Sequence, residues 1–248
     1  MPIQTPFDGA QRRRIHLMRH AEAAYRGSDG NAHDNPNVVP LTSRGRKQAQ
    51  AMHQAIGALS FDYALCTPFP RTSETARIVL GDRNLSLQVE PRLQEIQASR
   101  EGMGRFSPAD LAYSFDRAKE AGARFAGGEN IGDFCARVHE GFEAQITETA
   151  WKSALFVCHG GVNRAILTWV LGTGPELLSA FEQDNACMNI IDIDCDPETG
   201  MVVRRYVRLI NWTPYDPSKS EIHLTTMEAT AVALEQGHTA EEETGATD

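Results

Sequence analysis

The 248-residue chain has little of what marks an exported, membrane-bound or metal-stapled protein. Its five cysteines (Cys66, Cys135, Cys158, Cys187 and Cys195) are odd in number, scattered and set among apolar residues. No CxxC pair occurs, so neither a disulfide framework nor a zinc site is expected. No apolar run approaches the roughly 18 residues of a membrane span, and the opening MPIQTPFDGAQRRRIHL lacks the apolar centre of a secretory leader. A reducing, cytoplasmic setting is the expectation. A long basic stripe with interleaved aromatics is also missing, which argues against a nucleic-acid partner. No internal repeat is visible. From Ser220 to Asp248 there is no Lys or Arg at all, against seven acidic residues. Subtracting those seven from the net charge of −9 leaves −2 on the remaining residues. Salt screens charge beyond about 8–10 Å, so an acidic tail is compatible with a basic pocket elsewhere.

What is present suits a globular body. A hydrophobic content of 41% is enough to bury a real core. Strand-like and helix-like segments alternate. Arg14–Met18, Phe61–Cys66, Leu85–Val89 and the wholly apolar Ala154–Cys158 read as strands, the last with the pattern of a central parallel strand. Between them, Thr42 looks like an N-cap ahead of Ala49, Met52, Ile56 and Leu59 at helical spacing. Arg71–Leu80, Pro108–Ala121, Glu129–Ala150 and Val162–Leu171 also read as helices. Met188–Asp194 and Met201–Ile210 are late strands joined by a DPETG turn. This alternation predicts an α/β fold, a three-layer sandwich with a mostly parallel sheet and helices on both faces. The expected domain covers residues 1–215 with a helical insertion at about 100–150. An acidic, partly disordered extension, 216–248, follows. Within it Thr225 and Glu228 form a possible capping box. The tail after Trp212 exceeds what the fold needs and could embrace a partner subunit in a homodimer. Arg12-Arg13-Arg14 reads as a solvated entry to the first strand.

In open α/β sheets functional groups gather at the carboxyl ends of strands. Three of the expected strands end in suggestive residues: Arg19-His20, then Thr67-Pro68 leading to Arg71, then His159-Gly160-Gly161. Arginine forks bind phosphate oxygens in pairs. A Gly-Gly turn opening a helix lets backbone N–H groups approach an anion. A neutral imidazole carries a lone pair able to attack phosphorus near neutral pH. Phosphate chemistry is the class these residues suit.

The same segments resemble the histidine phosphatase superfamily, phosphoglycerate mutase-like, branch 1. Leu17-Met18-Arg19-His20-Ala21-Glu22 is similar to its RHG motif. Leu41-Thr42-Ser43-Arg44-Gly45-Arg46-Lys47-Gln48-Ala49 is similar to its LTxxGxxQA helix start. Thr67-Pro68-Phe69-Pro70-Arg71-Thr72-Ser73-Glu74-Thr75-Ala76 is similar to its SPLxRAxETA segment. Leu93-Gln94-Glu95-Ile96, Gly127-Gly128-Glu129 and Cys158-His159-Gly160-Gly161-Val162 resemble three further elements. The likeness runs in order from about Ile15 to Ile210. It implies that His20 is the nucleophile that forms a phosphohistidine. It implies that Arg19, Arg71 and His159, with the Gly160 turn, hold the non-bridging oxygens. Glu95 would protonate the leaving oxygen and later deprotonate water. Positive side chains would do the work of magnesium, so neither a metal nor another cofactor is implied. Ala21 stands where glycine is usual, Cys158 where serine is usual, and Arg26 where some members place a phosphate-contacting asparagine.

Plainer readings accompany each residue. Alone, His20 would be a polar strand end, Arg71 a surface residue and His159 a buried structural histidine. Glu90, Glu101 and Glu129 are carboxylates near Glu95. Arg26, Arg100, Arg105 and Arg124 are either solvated or extra charge for a substrate. His16, His33, His53, His139, His223 and His238 show no ligand spacing. Three functions follow: hydrolysis of a small phosphomonoester, a phosphoglycerate mutase-type transfer, and a non-catalytic phosphate-binding scaffold. The segment from Glu95 to His159 is short for the lid of the cofactor-dependent mutases, which favours the hydrolase.

Overall fold

Residues 14–19 and 153–158 are apolar enough to be covered on both faces, and in the computed structural model they lie side by side at the centre of a seven-stranded sheet. The structure describes residues 3–5, 7–25, 35–99, 106–233 and 235. The strands are β1 (Ile3–Gln4), β2 (Gln11–Arg19), β3 (Tyr63–Cys66), β4 (Leu87–Val89), β5 (Ser153–Cys158), β6 (Met188–Cys195) and β7 (Val202–Trp212). Their order is β4-β3-β5-β2-β6-β7, with β1 pairing β2. β4, β3, β5 and β2 run parallel, whereas β6 is antiparallel to β2 and β7 to β6. The mostly parallel expectation therefore holds for one side of the sheet, and a long antiparallel hairpin makes the other.

Alternate residues of a strand face opposite layers. In β5, Ala154, Phe156 and Cys158 join an apolar cluster with Phe134, Val138, Phe142 and Ile166, while Leu155 and Val157 join Ala49, Met52, Ala76 and Val79 in a second cluster. The first cluster lies under α4 (Ile131–Thr147) and α5 (Gly160–Leu171), the second under α1 (Ser43–Ala55) and α2 (Pro70–Leu80). α3 (Pro108–Ala112) is short. The helix expected over 108–121 stops at Tyr113 and continues as a 3-10 segment, Ser114–Lys119. A sixth helix covers 226–233, and the capping box is formed: Thr225 N donates to Glu228 at 2.8 Å and Glu228 N to Thr225 Oγ1 at 3.1 Å. Among the described residues no helix is long and apolar enough to cross a membrane. All five cysteines are buried free thiols.

The arginine triplet is not a solvated entry. Arg12 forks onto Asp194 at 2.7 and 2.9 Å, Arg14 onto Asp192 at the same two distances, and Arg13 donates to the carbonyls of Ile146 and Thr149. The cause is register. Arg12 sits opposite Asp194 and Arg14 opposite Asp192 in the β2–β6 pair, so cross-strand partners of opposite sign meet on one face.

Candidate active site

The parallel register brings the distant residues together. Arg19 is the partner of Cys158, so His20 and His159, each one residue further on, leave adjacent strand ends side by side. Cys66 is the partner of Val157, which carries Thr67 to the same rim. The ring centroids of His20 and His159 are 5.3 Å apart, and both side chains are almost wholly buried. Arg71, in the first turn of α2, reaches across both: its Nε donates to His20 Nε2 at 3.3 Å and its Nη2 to His159 Nδ1 at 3.4 Å.

These bonds assign the tautomers. Ala21 O lies 2.8 Å from His20 Nδ1 and can only accept, so Nδ1 carries the proton and the lone pair is on Nε2. His159 donates from Nε2 to Thr67 Oγ1 at 2.7 Å. Thr67 passes the chain to Thr72 Oγ1 at 2.9 Å, and Thr72 ends it on the carbonyls of Phe69 and Thr67. The Nδ1 lone pair of His159 therefore faces Arg71. Burial, reinforced by Arg71 and Arg19, holds His20 well below the ordinary imidazole range; burial, Arg71, His20 and Arg19 do the same to His159. Both rings are neutral at neutral pH. Arg71 is pulled down by burial as well, is stacked on Phe69 and Tyr25, and donates from Nη1 to Pro36 O at 2.9 Å. Arg19 donates from Nη1 to Gln183 O at 2.6 Å, while its Nε is buried without a hydrogen-bond partner among the described residues.

Glu95 approaches from another side. Its Oε2 accepts from Gly161 N at 3.1 Å and its Oε1 from Ile96 N at 3.0 Å. A Cβ on Gly161 would stand 2.5 Å from Glu95 Oε1, so the second glycine of the pair makes room for a carboxylate. Gly160 lies against the Arg19 guanidinium. The segment carrying Glu95 is held by Arg137, which donates to the carbonyls of Arg92 and Gln94 and pairs with Glu129 at 2.9 Å. Arg19, Glu95, Gly160 and Gly161 line one solvent-open cavity.

The motif residues that do not reach the cavity form a clasp around the strand end. Ala21 N donates to Thr75 Oγ1 at 3.0 Å, Glu22 N to Gln48 Oε1 at 3.0 Å, and Leu41 N to Glu74 at 3.1 Å. Gly45 packs so tightly that a Cβ would lie 2.1 Å from the Glu22 carbonyl oxygen. Ala21 has a negative φ, so alanine in place of glycine costs the backbone nothing there. Cys158 is fully buried, and burial raises its thiol well above the ordinary range.

Four sequence candidates are thus brought to one rim (Arg19, His20, Arg71 and His159), with Glu95 and Gly160 beside them. The other carboxylates are otherwise engaged: Glu90 with Arg92 and Gln145, Glu129 with Arg137. Arg124 donates to the Gly128 carbonyl at 2.8 Å. Of the remaining histidines, His16 is buried against Phe61, His53 bonds Val79 O, and His139 bonds Ala165 O. Arg26, His33, Arg100, Glu101, Arg105 and His238 lie outside the described residues. Nothing in the sequence points the C-terminal helix at the site, yet Thr226, Met227 and Thr230 of the 226–233 helix line the same cavity as Glu95.

The family model for the histidine phosphatase superfamily (branch 1) matches residues 15–205. An adenosylcobalamin/alpha-ribazole phosphatase of Escherichia coli (strain K12) is 30% identical over 194 residues, 73% of this chain and 90% of its own. A 2-carboxy-D-arabinitol-1-phosphatase of Triticum aestivum is 26% identical over 217 residues, 86% of this chain and 43% of its own. The crystal structure of the alpha-ribazole phosphatase from Shigella flexneri superposes with a TM-score of 0.61 at 28% identity, covering 80% of this chain and 96% of that one.

Proposed function

Because the chain belongs to the histidine phosphatase superfamily, branch 1, we propose that it hydrolyses a small phosphomonoester with His20 Nε2 as the nucleophile and without a metal ion. The observation that carries this reading is the tautomer of His20. With Nδ1 committed to Ala21 O, the lone pair is fixed on Nε2, under Arg71 and beside His159. Arg19 Nε and the Arg71 guanidinium take non-bridging oxygens of the phosphoryl group. A dianion at this distance also favours the protonated form of His159, whose Nδ1–H then faces a third oxygen. The N–P bond forms as the P–O bond to the alcohol breaks, and Glu95 gives its proton to the departing oxygen. Water then attacks phosphorus, Glu95 takes its proton, the N–P bond breaks and Nε2 recovers its lone pair. Relatives whose names are phosphatases favour hydrolysis over mutase-type transfer. The five free thiols suit a reducing cytoplasm, where we place the protein.

The test uses 4-nitrophenyl phosphate with EDTA present. Turnover is expected to survive the chelator and to fall at least about 10³-fold in His20→Ala, as removal of a nucleophile does elsewhere. Rapid quench of the native protein with labelled substrate in alkaline detergent should trap an alkali-stable phosphoryl group on His20 that is lost on later acid treatment. Full activity of His20→Ala would end the reading.

A further inference from the structure

The family match stops at residue 205, yet the chain continues through β7 and returns to the cavity as the 226–233 helix. That return is pinned on two sides. The Thr226 hydroxyl donates to the Glu182 carboxylate and to Gln183 O, and Tyr113 donates from its hydroxyl to Glu228 at 3.1 Å. Ala231 is buried beneath the helix, and Met227 packs against the core cluster that contains Ile96 and Phe115. Met227 therefore shares the cavity wall with Ile96, Phe115 and Phe125, while Arg19 and Glu95 line the same space.

The polar side chains of that wall have little to offer a ligand. Gln183 donates to Glu182 O and Asn189, and its Oε1 accepts from Asn163, Asn189 and the Cys187 thiol. Arg164 is committed to Leu178 O and Glu182. The Thr226 hydroxyl is spent as described, and Thr230 donates to Thr226 O. Apart from Arg19 and Glu95, the side chains that the described residues leave facing the cavity are two phenylalanine rings, an isoleucine and a methionine. Methionine adapts its shape to an apolar neighbour and contacts ring edges well. With Glu95 as the proton donor of the phosphatase reading, a group attached to the leaving oxygen enters the cavity that Glu95 shares with this wall.

We propose that the 226–233 helix completes a leaving-group subsite, and that Met227 with Ile96, Phe115 and Phe125 selects phosphomonoesters of apolar, ring-bearing alcohols over those of small polar ones. The proposal rests on the phosphatase reading above and deepens it. The full-length protein is assayed with 2-phenylethyl phosphate and glycerol 3-phosphate, two alkyl esters whose chemistry is alike, and with 4-nitrophenyl phosphate as the check on phosphatase activity itself. The native protein is expected to prefer the phenylethyl ester at least about 10-fold in kcat/KM, the scale on which apolar pockets discriminate. Met227→Asp should lower that ratio by about 10-fold through KM of the phenylethyl ester. Met227→Ala, which introduces no charge, should move it the same way by a smaller factor. Hydrolysis of 4-nitrophenyl phosphate with no preference between the alkyl esters overturns the subsite and leaves the phosphatase reading standing. A ratio unmoved by both variants does the same. Absence of turnover on all three esters overturns both.

Discussion

At the scale of single residues, the chemistry depends on where small side chains are absent. Gly161 illustrates this, because the Glu95 carboxylate occupies the space its Cβ would need. Gly161→Ala should therefore fold but displace Glu95. The expected result is a loss of kcat of about 10²-fold on alkyl phosphates, the usual contribution of a general acid. The loss should be much smaller on 4-nitrophenyl phosphate, whose leaving group needs no proton; equal losses on the two would count against Glu95 as donor. In the sequence the glycine pair reads as a turn at which an anion could approach. Its closer function is not legible there, because the group that Gly161 accommodates lies 66 residues away.

At the scale of elements, the motif around α1 does mechanical work. Thr42 N and Gln48 hydrogen-bond the backbone of Glu22, two residues past His20, and Gly45 packs against it, while Thr75 of α2 accepts from Ala21 N. Gly45→Ala would drive a methyl into the Glu22 carbonyl. Urea unfolding should report a destabilisation of about 1–3 kcal/mol, the range for overpacking a tight contact, with kcat reduced because the strap behind His20, the proposed nucleophile, shifts. The segment pattern that predicts α1, α2 and α4 is legible because each buries a stripe at helical spacing, and α5, buried on every side from Gly161 to Val170, is legible as an apolar run behind a Gly-Gly turn. Residues 108–121 depart from the expected single helix for a specific reason. Leu111, Phe115 and Ala118, buried at spacings of four and three, satisfy α-helical periodicity, but a 3-10 segment with inward residues three apart satisfies much of it too. The Arg12–Arg14 triplet was misread because its partners, Asp192 and Asp194, are brought by strand pairing that no local pattern reveals. The approach of the 226–233 helix to the cavity is equally invisible locally, because its anchors, Tyr113, Glu182 and Gln183, are distant in the chain.

At the scale of the whole molecule, burying neutral histidines couples stability to pH. His16 is lowered to about 4, chiefly by burial, and His20 and His159 are lowered well below the ordinary value. The unfolded chain takes up protons on these rings below about pH 6.5, whereas the folded chain does not until much lower. Stability is thus fully present above about pH 6.5 and falls as pH drops toward 4, by up to about 1.4 kcal/mol per unit for each ring that stays neutral. Urea midpoints taken between about pH 7.5 and 5 should decline, and His16→Leu should flatten the decline; a flat native profile would contradict the burial of neutral rings.

The bond from Arg71 Nη1 to the Pro36 carbonyl has a consequence for which anions the protein admits. A visitor seeking that nitrogen must evict a piece of the protein's own main chain. A peptide carbonyl carries a partial charge, chloride or a carboxylate one full charge, and a phosphate ester two, so the doubly charged guest has the greatest advantage over the resident dipole. On the phosphatase reading proposed above, the Pro36 carbonyl thereby sets Arg71 against the monovalent salts that surround the molecule, ahead of any bond being made or broken.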